Sequence, residues 1–227
     1  MRFSRRTAML STLAFYGTAA TANTGEYSLS NRARWRSFGV DDWIFRDPFE
    51  RQSPGAVRQP YSSWSLSSSG GRTAQVLSLI GFAEAGKLQY NAVHMSASRR
   101  PRKRPTEMSL GEVFHWIKAT PGQQHAIGRY QFIPSTLAML VNRVDAPPQA
   151  SFGPRMQDQL AVMLLKDAGY SEFLAGRMTM SKFMDKLAWV WAGLPLRNGQ
   201  SAYRGIAGNR ATISRKFYAE QMQRIFS

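Results

Sequence analysis

From Arg72 onward, apolar residues recur at the three- and four-residue spacing of helices that bury one face, whereas residues 23–71 show no sustained helical or strand period. Arg72 to Ala85 predicts a first helix, in which Val76, Ile80 and Glu84 stand four apart and Leu77 lies seven before Glu84. Ser109-Leu110-Gly111-Glu112 is a capping box that opens a second helix through Ile117, stopped before Pro121-Gly122. Pro134 suits the first turn of a third, Ile133 to Val144. Met156, Leu160, Met163 and Leu164 form a fourth stripe that ends at Gly169, and Phe183, Leu187, Val190 and Trp191 repeat that spacing before Gly193 and Pro195. A last helix is expected from about Asn209 to Phe226. Strand signals are poor, so the fold class is α+β but mostly α, with any small β element near Gln123 to Phe132.

The segments before Arg72 have a different character. Arg2, Arg5 and Arg6 precede a moderately apolar stretch from Ala8 to Ala20, and Ala20-Thr21-Ala22 offers a small-x-small cleavage site, so residues 1–22 read as a signal peptide. Ser4-Arg5-Arg6-Thr7-Ala8-Met9-Leu10 resembles a twin-arginine signal, with Ala8 where that pattern usually has Phe. No other segment could cross a bilayer, so an exported protein of the periplasm or cell wall, without a transmembrane anchor after processing, is expected. Residues 23–71 close in a Ser- and Gly-rich stretch and read as a linker or tether, although Trp35, Phe38, Trp43, Phe45 and Phe49 are too many aromatics for a purely solvated coil. The folded part is 72–227.

Charge narrows the partners. The chain carries +16; residues 72–227 hold 21 Lys and Arg against 9 Asp and Glu, or +12, and residues 23–71 hold 6 against 5, or +1. Such a surface favours an anionic partner: nucleic acid, a membrane surface or an acidic wall polymer. The absence of cysteine removes disulfides, thiol catalysis and thiolate metal sites. His94, His115 and His125 lack metal-ligand spacing, so neither a metal nor a cofactor is expected.

One residue breaks the pattern of its own helix. Glu84 falls on the core-facing side of the first helix near its C-terminal end, where desolvation and the negative end of the helix dipole both disfavour the charged form. A carboxylic acid kept protonated near neutral pH can act as a general acid. The same position also suits a half-exposed acid paired with an arginine. Glu112 reads as a cap, Asp158 as a first-turn acid, and Glu107 and Asp145 as loop residues, so a second catalytic carboxylate is not evident. Trp189 and Trp191 read as core, and Arg99-Arg100-Pro101-Arg102-Lys103-Arg104 as a solvated basic loop.

Glu84 in its helix, Tyr90-Asn91-Ala92-Val93, Gly128-Arg129-Tyr130-Gln131-Phe132, Gln157-Asp158, and Trp191-Ala192-Gly193-Leu194-Pro195 followed by Tyr203 together resemble the phage lambda endolysin family, glycoside hydrolase family 104. The resemblance implies a lysozyme-like fold and a lytic transglycosylase that cleaves peptidoglycan glycan strands with Glu84 as single acid/base. It further implies that Tyr90 and Gly128, Arg129, Tyr130 and Gln131 line the sugar groove, and that Leu194, Pro195 and Tyr203 form its opposite wall. Ala85-Gly86 follows the Glu where the family pattern has Gly-Thr, and Leu196 to Ala202 lengthens the stretch before Tyr203. On residue chemistry alone, Tyr130 and Gln131 also read as core and turn residues. Competing functions are a muramidase that uses water, a noncatalytic wall-binding or secretion-apparatus component, and a nucleic-acid binder, which lacks any recognised motif. A secretion, conjugation or phage-lysis system would be the larger partner.

Overall fold

The computed structural model describes residues 70–206 and 208–227; the signal and almost all of the tether expected before Gly71 lie outside them. Among the described residues, seven helices run in the order α1 (Arg72–Ala85), α2 (Leu110–Ala119), α3 (Pro134–Arg143), α4 (Pro154–Asp167), α5 (Tyr170–Leu174), α6 (Met180–Val190) and α7 (Arg215–Phe226), with 3₁₀ turns at Gly86–Asn91 and Pro105–Glu107. No helix among the described residues is long and apolar enough to cross a membrane.

Helix α1 is buried over most of its circumference. Val76, Leu77, Leu79, Ile80, Gly81, Phe82 and Ala83 are all inside, as expected of a helix apolar on more than one face, and α7 and α4 pack against it. The burial ends at Ala83, and the last turn carries Glu84 and Ala85 to a partly buried position. At Gly86 the chain takes φ 52°, a conformation open to glycine, and the helix stops.

Local chemistry sets most of the other boundaries. In α2, Ser109 Oγ accepts from Glu112 N–H at 3.1 Å while Glu112 accepts from Ser109 N–H at 2.8 Å, a reciprocal cap that contributes about 1 kcal/mol. Pro134 and Pro154 open α3 and α4, where the missing N–H costs nothing. Gly169, at φ 92°, ends α4 in the left-handed region. At the far end of the molecule, Phe173 stacks on Phe183 at 4.8 Å and meets Phe226 edge-on at 4.8 Å, which clamps α5, α6 and α7 together.

The structure departs from the sequence expectation at three places. The last helix starts at Arg215 rather than Asn209, because Ser214 Oγ caps Phe217 N–H and Thr212 is engaged elsewhere. Trp189, expected in the core, is 55% exposed, while Trp191 is buried. The β element consists, among the described residues, of three isolated antiparallel bridges, of which Val93 with Ile127 and Ile127 with Phe132 fall in or next to the expected region and Ser109 with Ser151 does not.

Candidate active site

The carboxyl of Glu84 sits where three separate segments meet. The turn after α6, Trp191 to Pro195, brings Gly193 N–H to within 2.7 Å of Glu84 Oε1. Thr212, just before α7, fixes that turn: its N–H donates to Gly193 O at 2.9 Å, and its Oγ1 donates to Ala83 O at 2.7 Å, satisfying a carbonyl that the end of α1 leaves open. Arg215 Nη1 holds Pro195 O at 2.8 Å from the other side, and its Nη2 pairs with Asp185 at 2.9 Å.

Electrostatically, Glu84 is a carboxyl group held back from ionising. Burial pushes its pKa up from 4.5 to about 7, and the Gly193 N–H offsets part of that rise by favouring the carboxylate. Burial and this one backbone donor account for the shift, so the arginine-paired reading has no support here. The residue as a whole is only partly buried, so the desolvated carboxyl lies near the surface rather than deep in the core. Because an N–H donor occupies Oε1, the proton of the acid form belongs on Oε2.

Gly193 has no room for a side chain. A Cβ there would lie 2.7 Å from Ala83 O and 2.9 Å from Glu84 Oε1. Gly193→Ala is therefore expected to push the turn away from α1, costing about 1–3 kcal/mol as an overpacked site. It should also lift the N–H off the carboxylate. Losing a donor that favours the charged form raises the pKa further, so the alkaline limb of the pH–activity profile should move to higher pH while the maximum falls. A profile unchanged in position would show that this contact does not tune Glu84.

The Gly128-Arg129-Tyr130-Gln131 segment is a brace between the loop and α4. Gly128 takes φ 81°, and a Cβ there would meet Gln157 Oε1 at 2.5 Å. That same Oε1 accepts Arg129 N–H at 2.8 Å, and the fully buried Gln157 uses its Nε2 on Tyr90 O at 3.1 Å and Phe152 O at 2.8 Å. Tyr130 is 1% exposed and donates to Asp158 at 2.5 Å, so its ring belongs to the core. Gln131, at φ 45°, closes the turn by donating to Gly128 O at 2.8 Å.

Asp158 was expected to be a first-turn helix acid. It lies one turn into α4 instead, where its carboxylate accepts both Tyr130 and Tyr90 hydroxyls, the latter at 3.0 Å from each oxygen. Arg129 completes the network: Nη1 donates to Tyr90 Oη at 2.6 Å and the guanidinium lies 4.8 Å from the Tyr90 ring centre. Its side chain crosses α1 at Gly81, one turn before Glu84, where a Cβ would fall 2.3 Å from Nε. Glycine at position 81 is thus what lets Arg129 pass.

Leu194 and Pro195, in the same turn as Gly193, are buried, whereas Tyr203 is half-buried and meets Trp189 edge-on at 6.4 Å. Gly193, Thr212, Gly81 and the Asp158 network shape the surroundings of Glu84, a part that their local sequence does not assign them. Among the described residues, no three His, Asp or Glu side chains converge to hold a metal ion. The other acids are engaged or peripheral: Glu107 is exposed and accepts Arg104 N–H at 3.2 Å, Glu112 caps α2 and pairs with Lys103, Asp167 pairs with Arg143, Asp185 with Arg197 and Arg215, and Asp145, Glu172 and Glu220 are exposed.

The chain is similar to a known family over part of its length. A family model described as Endolysin matches residues 111–220. No curated protein and no solved structure matches the chain. The match supports an endolysin-type, lysozyme-like protein and, in general, a peptidoglycan-cleaving enzyme; the mostly helical architecture is consistent with that. It takes in Gly128 to Gln131, Asp158, Gly193 and Thr212, while Glu84 and Tyr90 lie before it.

Proposed function

We propose that this endolysin-like domain is a peptidoglycan lytic transglycosylase of the lambda-endolysin type, with Glu84 as its single acid and base. The observation that carries this reading is Glu84, partly buried at the end of a buried helix with its pKa raised to about 7, set against other carboxylates that cap a helix, pair with cations, accept tyrosine hydroxyls or lie exposed. Oε2–H protonates the oxygen joining N-acetylmuramic acid C1 to N-acetylglucosamine, and that bond breaks. The resulting Glu84 carboxylate then removes the proton of the muramoyl C6 hydroxyl, whose oxygen bonds to C1 and closes a 1,6-anhydro ring. The acid ends the cycle protonated, and no water is consumed. A pKa near 7 suits both halves, since the group must give a proton and take one at the same pH.

The sugar path runs, on this reading, past Tyr90 and the 128–131 segment on one side and the Leu194-Pro195 turn with Tyr203 on the other. The +12 charge of residues 72–227 holds the enzyme on a polymer whose peptides carry carboxylates, through many weak contacts that salt screens. Release of soluble fragments from purified peptidoglycan by the full chain tests the reading. Binding without release would leave a noncatalytic wall-binding role on the same fold.

Residues 1–22 act as a cleaved export signal and 23–71 as a tether in this account. Mass spectrometry of protein recovered from the periplasm or medium should find an N-terminus near Asn23. Recovery with Met1 intact would contradict it.

A further inference from the structure

A concave surface lies away from Glu84. Loop 99–104 and α2 enclose a groove of about 720 Å³ whose lining includes none of Glu84, Tyr90, Gly193 or Tyr203. Its floor is apolar, with Met108 and Trp116 both buried, and its rim carries the exposed side chains of Arg100, Arg102 and His115. Lys103 also lines it and is paired with Glu112 at 2.6 Å. The loop is braced in place: Trp116 Nε1 and Gln123 Nε2 donate to Arg99 O at 2.8 and 2.9 Å, and Arg99 Nη2 donates to Pro121 O at 2.6 Å. A groove held open this way loses little freedom when it is filled.

The chain itself contains a segment with the opposite pattern. Residues 41–50, Asp-Asp-Trp-Ile-Phe-Arg-Asp-Pro-Phe-Glu, hold four acids against one arginine, interleaved with Trp43, Ile44, Phe45 and Phe49. Four of the five acids in residues 23–71 fall in this stretch, and residues 51–69 contain none. We propose that residues 41–50 dock in the groove between loop 99–104 and α2, with aromatic side chains on the Met108 and Trp116 floor and carboxylates on Arg100 and Arg102.

Reach favours this occupant. A Ser-rich chain of the length of residues 51–69 has a root-mean-square span of roughly 25 Å if unfolded and a fully extended limit of about 60 Å. A domain the size of residues 70–227 has a radius of gyration of about 15 Å, so every face is accessible. Tethering supplies an effective concentration in the millimolar range, so even a weak contact is substantially occupied. Docked, the segment competes with outside anions for Arg100 and Arg102. The proposal is independent of the reaction at Glu84.

Because the full chain has no cysteine, Ser53→Cys and Gln149→Cys can carry two spin labels without competing thiols. Gln149 is exposed and neighbours the start of α2 through the Gly111 N–H to Pro148 O bond. The full chain should give one short, narrow distance distribution. Reversing charge at Asp41, Asp42 and Asp47 to Lys, or at Arg100 and Arg102 to Glu, should broaden it to that of a free tether. Combining the two reversals should restore the narrow peak. A broad distribution in the parent would overturn the proposal, as would a narrow one indifferent to both reversals. A narrow peak that vanishes on dilution with unlabelled chain would assign the groove to a second copy and equally overturn it. Loss of peptidoglycan-fragment binding on reversing the arginines, with a broad parent distribution, would assign it to the wall polymer instead.

Discussion

Glu84→Gln should leave a folded protein whose release of fragments from peptidoglycan falls by at least about 10²-fold, the low end of what a positioned acid supplies. Gln nearly matches Glu in shape, and its Oε1 can still accept the Gly193 N–H, but it has no proton to give. Stability should move the other way. The pKa of Glu84 is higher in the folded protein than its unfolded value of 4.5, so the contribution of this group to stability is complete below about pH 4.5 and is lost as pH rises through about 7. The Gln variant escapes that loss and should be more stable than the parent above pH 7, by up to on the order of 3 kcal/mol, with little difference near pH 4. Urea unfolding at the two pH values measures this. In the parent, activity should decline above about pH 7 as the acid form is depleted. A folded Gln variant that still clears peptidoglycan would return Glu84 to a structural role.

The second large effect is expected at Asp158. Its carboxylate receives the Tyr130 hydroxyl from the core and the Tyr90 hydroxyl from beside Arg129, so Asp158→Ala strands a donor inside the protein and releases the Arg129 pair. The loss should be about 3 kcal/mol, from hydrogen bonds to a charged acceptor together with the desolvation of the Tyr130 hydroxyl left behind. Tyr90→Phe, which removes one donor and leaves the acceptor partly satisfied, should cost nearer 1 kcal/mol. Denaturant midpoints should fall in that order with unchanged slopes. An Asp158→Ala protein as stable as the parent would show that the 128–131 segment is held by Gln157 alone.

Local signals made the helices legible. The bounds of α1 follow from its apolar spacing and Gly86, and the start of α2 from its capping box. The exposure of Trp189 was also within reach, because the stripe through Phe183 and Leu187 returns at Val190 and Trp191, leaving position 189 on another face. The late start of α7 was not, since Asn209 to Ile213 have no feature that forbids helix; what holds them out is Thr212 bonding to Ala83 and Gly193. The site divides the same way. That Glu84 would be a desolvated acid follows from its place in its own helix. Its partner Gly193 lies 109 residues on, and the roles of Gly81 and Gly128 depend on which side chain passes over them, Arg129 in one case and Gln157 in the other. Such pairings are set by packing between distant segments and leave no local periodic trace.

The claim that Glu84 alone completes both proton transfers is tested most directly by the ends of the product. Purified peptidoglycan digested by the full chain in heavy-oxygen water should yield muramoyl ends that are lighter than the reducing sugar by one water and contain no heavy oxygen, because the C6 hydroxyl of the same sugar closes the ring. Reducing ends that have taken up heavy oxygen would mean that water is the nucleophile, and would contradict the single-residue transglycosylase mechanism.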